Sequence, residues 1–142
     1  MENIESLINS LWDNNDKIAY PSFKQLLAES EKTNAVYAYF DTLAGMINSD
    51  HSYFRTRAML LIAANAKWDD AGKIDKIIAA FLSHIMDDKP ITARQIIKAL
   101  PEIAKYKPDL RGVISSALKN AGVEKYAETM RHLIEKDIAA AV

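Results

Sequence analysis

Catalysis and metal binding need reactive side chains at set spacings, and this chain has few. Its three histidines, His51, His84 and His132, lie in three separate segments. A helix that grips a metal through two histidines sets them three or four residues apart, so that both rings leave one face; none of the three has such a neighbour. Glu128, His132 and Glu135 stand at helical spacing. A di-iron or di-manganese bundle uses Glu-x-x-His twice with two further glutamates on other helices, and that motif does not occur once. A surface acid–histidine contact is the expectation for this trio. No serine sits in a Gly-x-Ser-x-Gly turn, and the four glycines form no phosphate-cradling loop. The absence of cysteine removes disulfides, thiolate metal sites and a cysteine nucleophile. The sequence therefore predicts a non-enzymatic protein with no catalytic residue, cofactor or metal.

The elements that would position any site come from composition and periodicity. The 142 residues are 49% apolar and 26% charged, which fits one globular domain with a continuous core. Eighteen basic and 19 acidic side chains are interspersed, for a net charge of -1, so nothing in the balance draws the chain towards nucleic acid or an anionic membrane. "MENIESLINSLW" carries acids where a secretory signal carries positive charge, and no apolar run approaches the roughly 20 residues of a membrane span. A soluble, cytoplasmic protein is expected.

Apolar residues recur at helical intervals. Val36, Tyr39, Phe40, Leu43 and Ile47 make one stripe, and Ile74, Ile77, Ile78, Phe81, Leu82 and Ile85 another. No stretch alternates as a strand does. Capping residues and prolines divide the chain: Ser49 or Asp50, Asp69 or Asp70, and Asp88 before Pro90 open helices, as does Pro108, while Asn120 to Gly122 supplies a left-handed stop. The predicted helices are 2–12, 18–30, 34–48, 52–67, 71–86, 90–106, 109–120 and 123–140. Pro101, inside the sixth, is expected to bend or break it.

The chain also repeats itself. At an offset of 37 residues, "DHSYFRTRAMLL", "DKPITARQIIK" and "EKYAETMRHLIE" align. Arg57, Arg94 and Arg131 coincide, as do Asp50, Asp87 and Glu124, then Met59, Ile96 and Leu133, then Leu60, Ile97 and Ile134. One step earlier, Asp13 and Phe23 fit but Tyr20 replaces the arginine, so the first copy is degenerate. On a helical wheel Arg57 borders the apolar stripe, where its stem packs while its guanidinium reaches an acid.

A unit of about 37 residues with two helices resembles the HEAT repeat. The resemblance implies an all-α, right-handed superhelix of antiparallel helix pairs, with about seven or eight helices in one domain spanning 1–142. A cap helix at about 2–12 would precede repeats at about 13–49, 50–86 and 87–122 and a terminal helix at about 123–140. It also implies a ladder between repeats, with Asp50, Asp87 and Glu124 as acids and Arg57, Arg94 and Arg131 as bases. The chain is similar to short bacterial HEAT-type proteins as well, some of them grouped under iron-sulfur assembly, a chemistry for which it offers no cysteine.

Second helices of such pairs line an extended surface suited to a partner's helix or peptide. The groups opposite the apolar stripes include Tyr37, Asp41, Lys76, Ser83, His84, Arg111, Ser115 and Lys119, and these are the expected partner contacts of an adaptor or scaffold. A nucleic-acid-binding alternative would need Arg55, Lys76, Arg111 and Lys119 gathered on one side, against nearly equal acids. Trp12, Trp68, Tyr53, Phe54 and Tyr106, near helix ends, are expected to plug joints between helices. A self-associating alternative rests on "KYAETMRHLIEKDIAAAV", which ends in small apolar residues. Another protein or peptide segment is the expected partner, with weak homo-oligomers the next.

Overall fold

Local caps and apolar stripes produce eight α-helices within residues 3–142, the part of the chain described by the computed structural model. They are α1 (Ile4–Ser10), α2 (Asp16–Lys32), α3 (Phe40–Ala44), α4 (Ser52–Ala64), α5 (Lys73–Ser83), α6 (Pro90–Tyr106), α7 (Arg111–Lys119) and α8 (Glu128–Ala141). No strand occurs among the described residues. The expected start of the first helix at residue 2 lies outside them. No described helix is long and apolar enough to cross a membrane.

Side-chain oxygens start several of these helices. Asn3 Oδ1 accepts from the Ser6 amide at 2.8 Å and Asn15 Oδ1 from the Lys17 amide at 3.0 Å, each satisfying a donor that the first turn leaves free. The helices α3, α5 and α7 are shorter than periodicity predicts, because part of each segment winds more tightly. A 3-10 turn at Tyr37–Tyr39 precedes α3, another at His84–Met86 follows α5, and a third at Pro108–Leu110 leads into α7. The last predicted helix is split. Tyr126 is extended (φ -88°, ψ 153°) between a 3-10 turn at Val123–Lys125 and α8.

The expected break at Pro101 and the expected left-handed stop are corrected. Pro101 lies inside α6, which runs unbroken from Pro90 to Tyr106. Its neighbours Ile96, Ile97, Leu100 and Ile103 are fully buried, and α6 packs on both α4 and α8, so tertiary contacts outweigh one missing backbone bond. Asn120 and Gly122 are not left-handed (φ -98° and -85°); the one positive φ among the described residues is 71° at Gly72, just before α5. Gly122 serves close approach instead. A Cβ there would lie 2.9 Å from Met86 Cε, and its amide donates to Met86 Sδ at 3.2 Å.

The first helices lie side by side in chain order, α2 on α4, α4 on α6 and α6 on α8, while α1 packs on α2, α3 on α4, and α7 on α6 and α8. One continuous core runs between the rows, from Leu11, Leu26 and Phe40 through Met59, Ile62 and Phe81 to Ile96, Ile103, Ile114 and Ile134. In the aligned apolar columns Met59 and Ile96 are fully buried, whereas Leu133 is 39% exposed. Asp137 of α8 turns inward and is 9% exposed.

Candidate functional site

Buried charge gathers at two junctions. The first is the turn between α5 and α6, centred on Asp87. Arg55 of α4 donates through Nε to Asp87 Oδ2 at 3.0 Å and through Nη2 to Oδ1 at 2.7 Å, a two-bond fork. Arg55 Nη1 donates to the Ser49 carbonyl at 3.0 Å. The Lys89 amide donates to Asp87 Oδ1 at 2.9 Å, and the Tyr126 hydroxyl to the Asp87 carbonyl at 2.6 Å. His84 Nδ1 meets Asp87 Oδ2 at 2.6 Å, and its Nε2 faces Asn48 Oδ1 at 3.1 Å. Burial alone would push the Asp87 carboxyl up, but bonds from Arg55, the Lys89 amide and His84 outweigh it and hold it below the usual range. The Tyr126 hydroxyl is pushed up to about 12, first by burial and then by the negative field of Asp87 and Asp88. An open cleft of about 350 Å³ adjoins this cluster, walled by Asn48, Asp50, Ser83, His84 and Asp88.

The second junction, between α4 and α5, is centred on Asp69. Its carboxylate accepts from the Lys73 and Ile74 amides at 2.9 Å each and from the Tyr37 hydroxyl at 2.5 Å, and lies 3.2 Å from Lys107 Nζ. Lys107 also donates to the Asp69 carbonyl at 3.1 Å and pairs with Asp75 at 2.8 Å. Here too burial raises the carboxyl, but the bonds from Tyr37, Ile74, Lys73 and Lys107 outweigh it and hold it below the usual range. The Tyr37 hydroxyl is held well above its ordinary value by burial and by Asp69.

These junctions revise the expected ladder. Arg57 does not pair with Asp50. It reaches backwards, donating to the Leu11 carbonyl at 2.7 Å and to Asp16 Oδ1 at 3.0 Å. Arg94 reaches forwards to Asp137 at 2.7 Å, not to Asp87, which Arg55 occupies. Arg131 donates at 3.2 Å to the carbonyls of Glu124 and Tyr126, so it meets the Glu124 backbone and not its carboxylate. The aligned arginines thus share a place on their helices but not a partner. Arg55, two residues before Arg57, makes the buried pair. The signal available for it was a separation rather than a motif: Tyr37–Asp69, Asp41–Lys73 and Arg55–Asp87 each bridge 32 residues. Asn48–His84, Thr56–Thr92, Glu31–Lys67 and Met86–Gly122 each bridge 36.

Several expected partner contacts are already engaged. Tyr37 and His84 belong to the junctions, and Asp41 pairs with Lys73 at 3.2 Å. Ser83 Oγ donates to the Ala80 carbonyl at 2.6 Å, and Arg111 Nε to the Ala104 carbonyl at 3.2 Å. Lys76 and Lys119 are exposed and Ser115 is half-buried. Lys76, Arg111 and Lys119 lie on second helices while Arg55 is buried at the Asp87 junction, so the four do not form one basic patch. Glu128, His132 and Glu135 are all exposed on α8, and among the described residues no three His, Asp or Glu side chains converge as metal ligands would. Trp12 does plug a joint, edge-on to Phe54 at 5.8 Å, and Trp68 Nε1 donates to the Ser30 carbonyl at 2.8 Å. Tyr53 does not; it is 60% exposed.

Tyr53 belongs to a surface that periodicity did not single out. Along the outer side of α4, three clefts of about 520, 360 and 400 Å³ adjoin one another: Tyr53, Thr56 and Gln95 line both of the first two, and Leu27 and Leu60 both of the last two. The result is a groove over α2, α4 and α6. Its walls carry Tyr20 (50% exposed), Tyr53 and Ile91 (69% exposed), and Tyr106 stands at the far end. α4 has 13 residues, so at about 1.5 Å of rise per residue the groove runs for about 20 Å. None of its lining comes from the second helices α3, α5 and α7.

No family model, curated protein or solved structure matches the chain.

Proposed function

We propose that this protein is a non-catalytic helical-repeat module of the HEAT type, and that it binds a segment of another protein along the groove over α2, α4 and α6. The observation that carries the reading is the cluster of large apolar side chains, Tyr20, Tyr53 and Ile91, held in solvent on the walls of adjoining clefts. Exposed aromatic and aliphatic residues in a concave, polar-rimmed setting are the usual anchors of peptide and helix recognition. The repeat character is supported by bonds that join residues 32 or 36 apart, as stacking of similar two-helix units on one another would produce. The non-catalytic reading is supported by the junctions, where each charged group is committed to another part of the fold.

This reading moves the contact face from the second helices to the first. Tyr37, Asp41 and His84 serve packing in it, and Lys76, Ser115 and Lys119 remain solvated surface. An affinity purification from the source cell, run in parallel with wild type and Tyr53→Ser/Ile91→Ser, tests the assignment. Both side chains are exposed, so the variant keeps its fold, and its specific partners should drop out. A partner list unchanged by the two substitutions would remove the groove from consideration.

A further inference from the structure

The groove is not electrically uniform, and its asymmetry bears on what fills it. At the end formed by Tyr20, Tyr53 and Ile91, the lining charges are Asp16, Lys24, Arg57 and Lys89. Asp16 and Arg57 neutralise each other at 3.0 Å. Lys24 lies over the Tyr20 ring at 5.8 Å, and the acid next to Lys89 in sequence, Asp88, turns away towards Lys125. Among the described residues neither Lys24 nor Lys89 pairs with a carboxylate. At the other end Glu31 pairs with Lys67 at 3.1 Å, and Glu102 and Lys105 complete a neutral set. One end therefore combines exposed apolar side chains with two uncompensated cations, on a chain whose net charge is -1.

We infer that the groove takes an acidic amphipathic segment of a partner protein, with large apolar anchors against Tyr20, Tyr53 and Ile91 and neighbouring carboxylates at Lys24 and Lys89. The inference rests on the protein-binding reading above and adds to it the chemistry and direction of the occupant: its acidic part lies at the Tyr53 end. Complementary charge at a rim selects partners and orients them, while buried apolar anchors supply most of the affinity. A nucleic-acid duplex fits less well. It needs a row of cations along its phosphates, and two free lysines at one end of an apolar groove release too few counterions for stable binding.

A display library of random peptides about 12 residues long, matched to about 20 Å of groove, would be selected on immobilised full-length protein. Selected peptides would then be titrated against wild type, Tyr53→Ser/Ile91→Ser and Lys24→Gln/Lys89→Gln, all substitutions of exposed side chains. The expected result is enrichment of Asp or Glu beside Leu, Ile, Phe or Trp, with affinity falling about tenfold in each double variant and on converting the peptide acids to amides. Peptides that lose affinity for the serine variant but ignore the glutamine variant would overturn the acidic-segment inference and leave the binding groove standing. No enrichment, or binding indifferent to both variants, would overturn both. A mixed-sequence DNA duplex included as competitor gives the remaining outcome: a duplex that itself binds, displaces the peptides and loses its affinity steeply with rising salt would replace a protein partner by nucleic acid.

Discussion

The Asp87 junction and the α4 groove lie on one framework and use their side chains in opposite ways. At the junction a carboxylate 1% exposed is ringed by Arg55 of α4, His84 at the α5 end and the Lys89 amide before α6, while Tyr126 donates to the carbonyl of the same residue. In the groove, Tyr20, Tyr53 and Ile91 are half or more in solvent. A buried charge is tolerated only when its surroundings satisfy it, so the junction has little capacity left for a ligand. An exposed apolar group has already incurred the cost of contact with water, which a partner can relieve.

The contrast breaks first under deletion of the central acid. Asp87→Ala leaves the Arg55 guanidinium buried without its carboxylate and should destabilise the fold by about 3–5 kcal/mol, read as a lower denaturant midpoint. A loss below about 1 kcal/mol would mean that the junction is wet and adaptable. Arg57→Ala comes next. It strips the buried Leu11 carbonyl of its donor and removes the ion pair between α4 and Asp16 of α2, for about 2 kcal/mol.

Titration sharpens the same contrast. Asp69 and Asp87 have carboxyl groups held below the ordinary value of 3.8, so the stability they contribute is fully present above that pH and is lost as pH falls through their lower folded values. Asp69→Asn/Asp87→Asn should lower stability at neutral pH and flatten its acid fall below about pH 4. At the alkaline side the sign is the reverse. Tyr126, raised from 10.0 to about 12, contributes stability that is complete below pH 10 and lost as pH rises towards 12. Tyr126→Phe should remove part of the alkaline fall at a cost of about 1 kcal/mol near neutrality. The smallest effect belongs to the groove: Tyr53→Ser/Ile91→Ser should change unfolding free energy by no more than about 0.5 kcal/mol per site. A loss comparable with that of Asp87→Ala would show the groove walls to be structural and end the comparison.

Much of the architecture was legible along the chain. The stripes through Val36, Phe40, Leu43 and Ile47, and through Ile74, Phe81 and Ile85, are buried in the core, and each of the eight predicted helices overlaps an observed one. Caps were less readable: the N-cap residues of α4, α5 and α6 are His51, Gly72 and Lys89, none with a side-chain capping bond, although Asp69 accepts from the first amides of α5 and Asp87 rather than Asp88 from the amide before Pro90. Breakers were less readable. Pro101 is overridden by burial of its neighbours, and the left-handed turn fell to Gly72. Among the polar residues, the equal spacing of Arg57, Arg94 and Arg131 was visible, but Arg55 was not distinguished from them as the arginine that holds Asp87.

Helix positions and core identity were determined by the sequence alone, because a period of 3.6 residues and a capping oxygen act within a few residues of chain. The partners of the arginines and the location of the open surface were decided by tertiary structure. A guanidinium on a long stem can reach an acid before or after it in the chain, and only the offset between stacked helices selects one: Asp16 for Arg57, Asp137 for Arg94, Asp87 for Arg55. In the same way Tyr20, Tyr53 and Ile91 become one surface only when α2, α4 and α6 lie side by side, since residues 33 to 71 positions apart share no local signal.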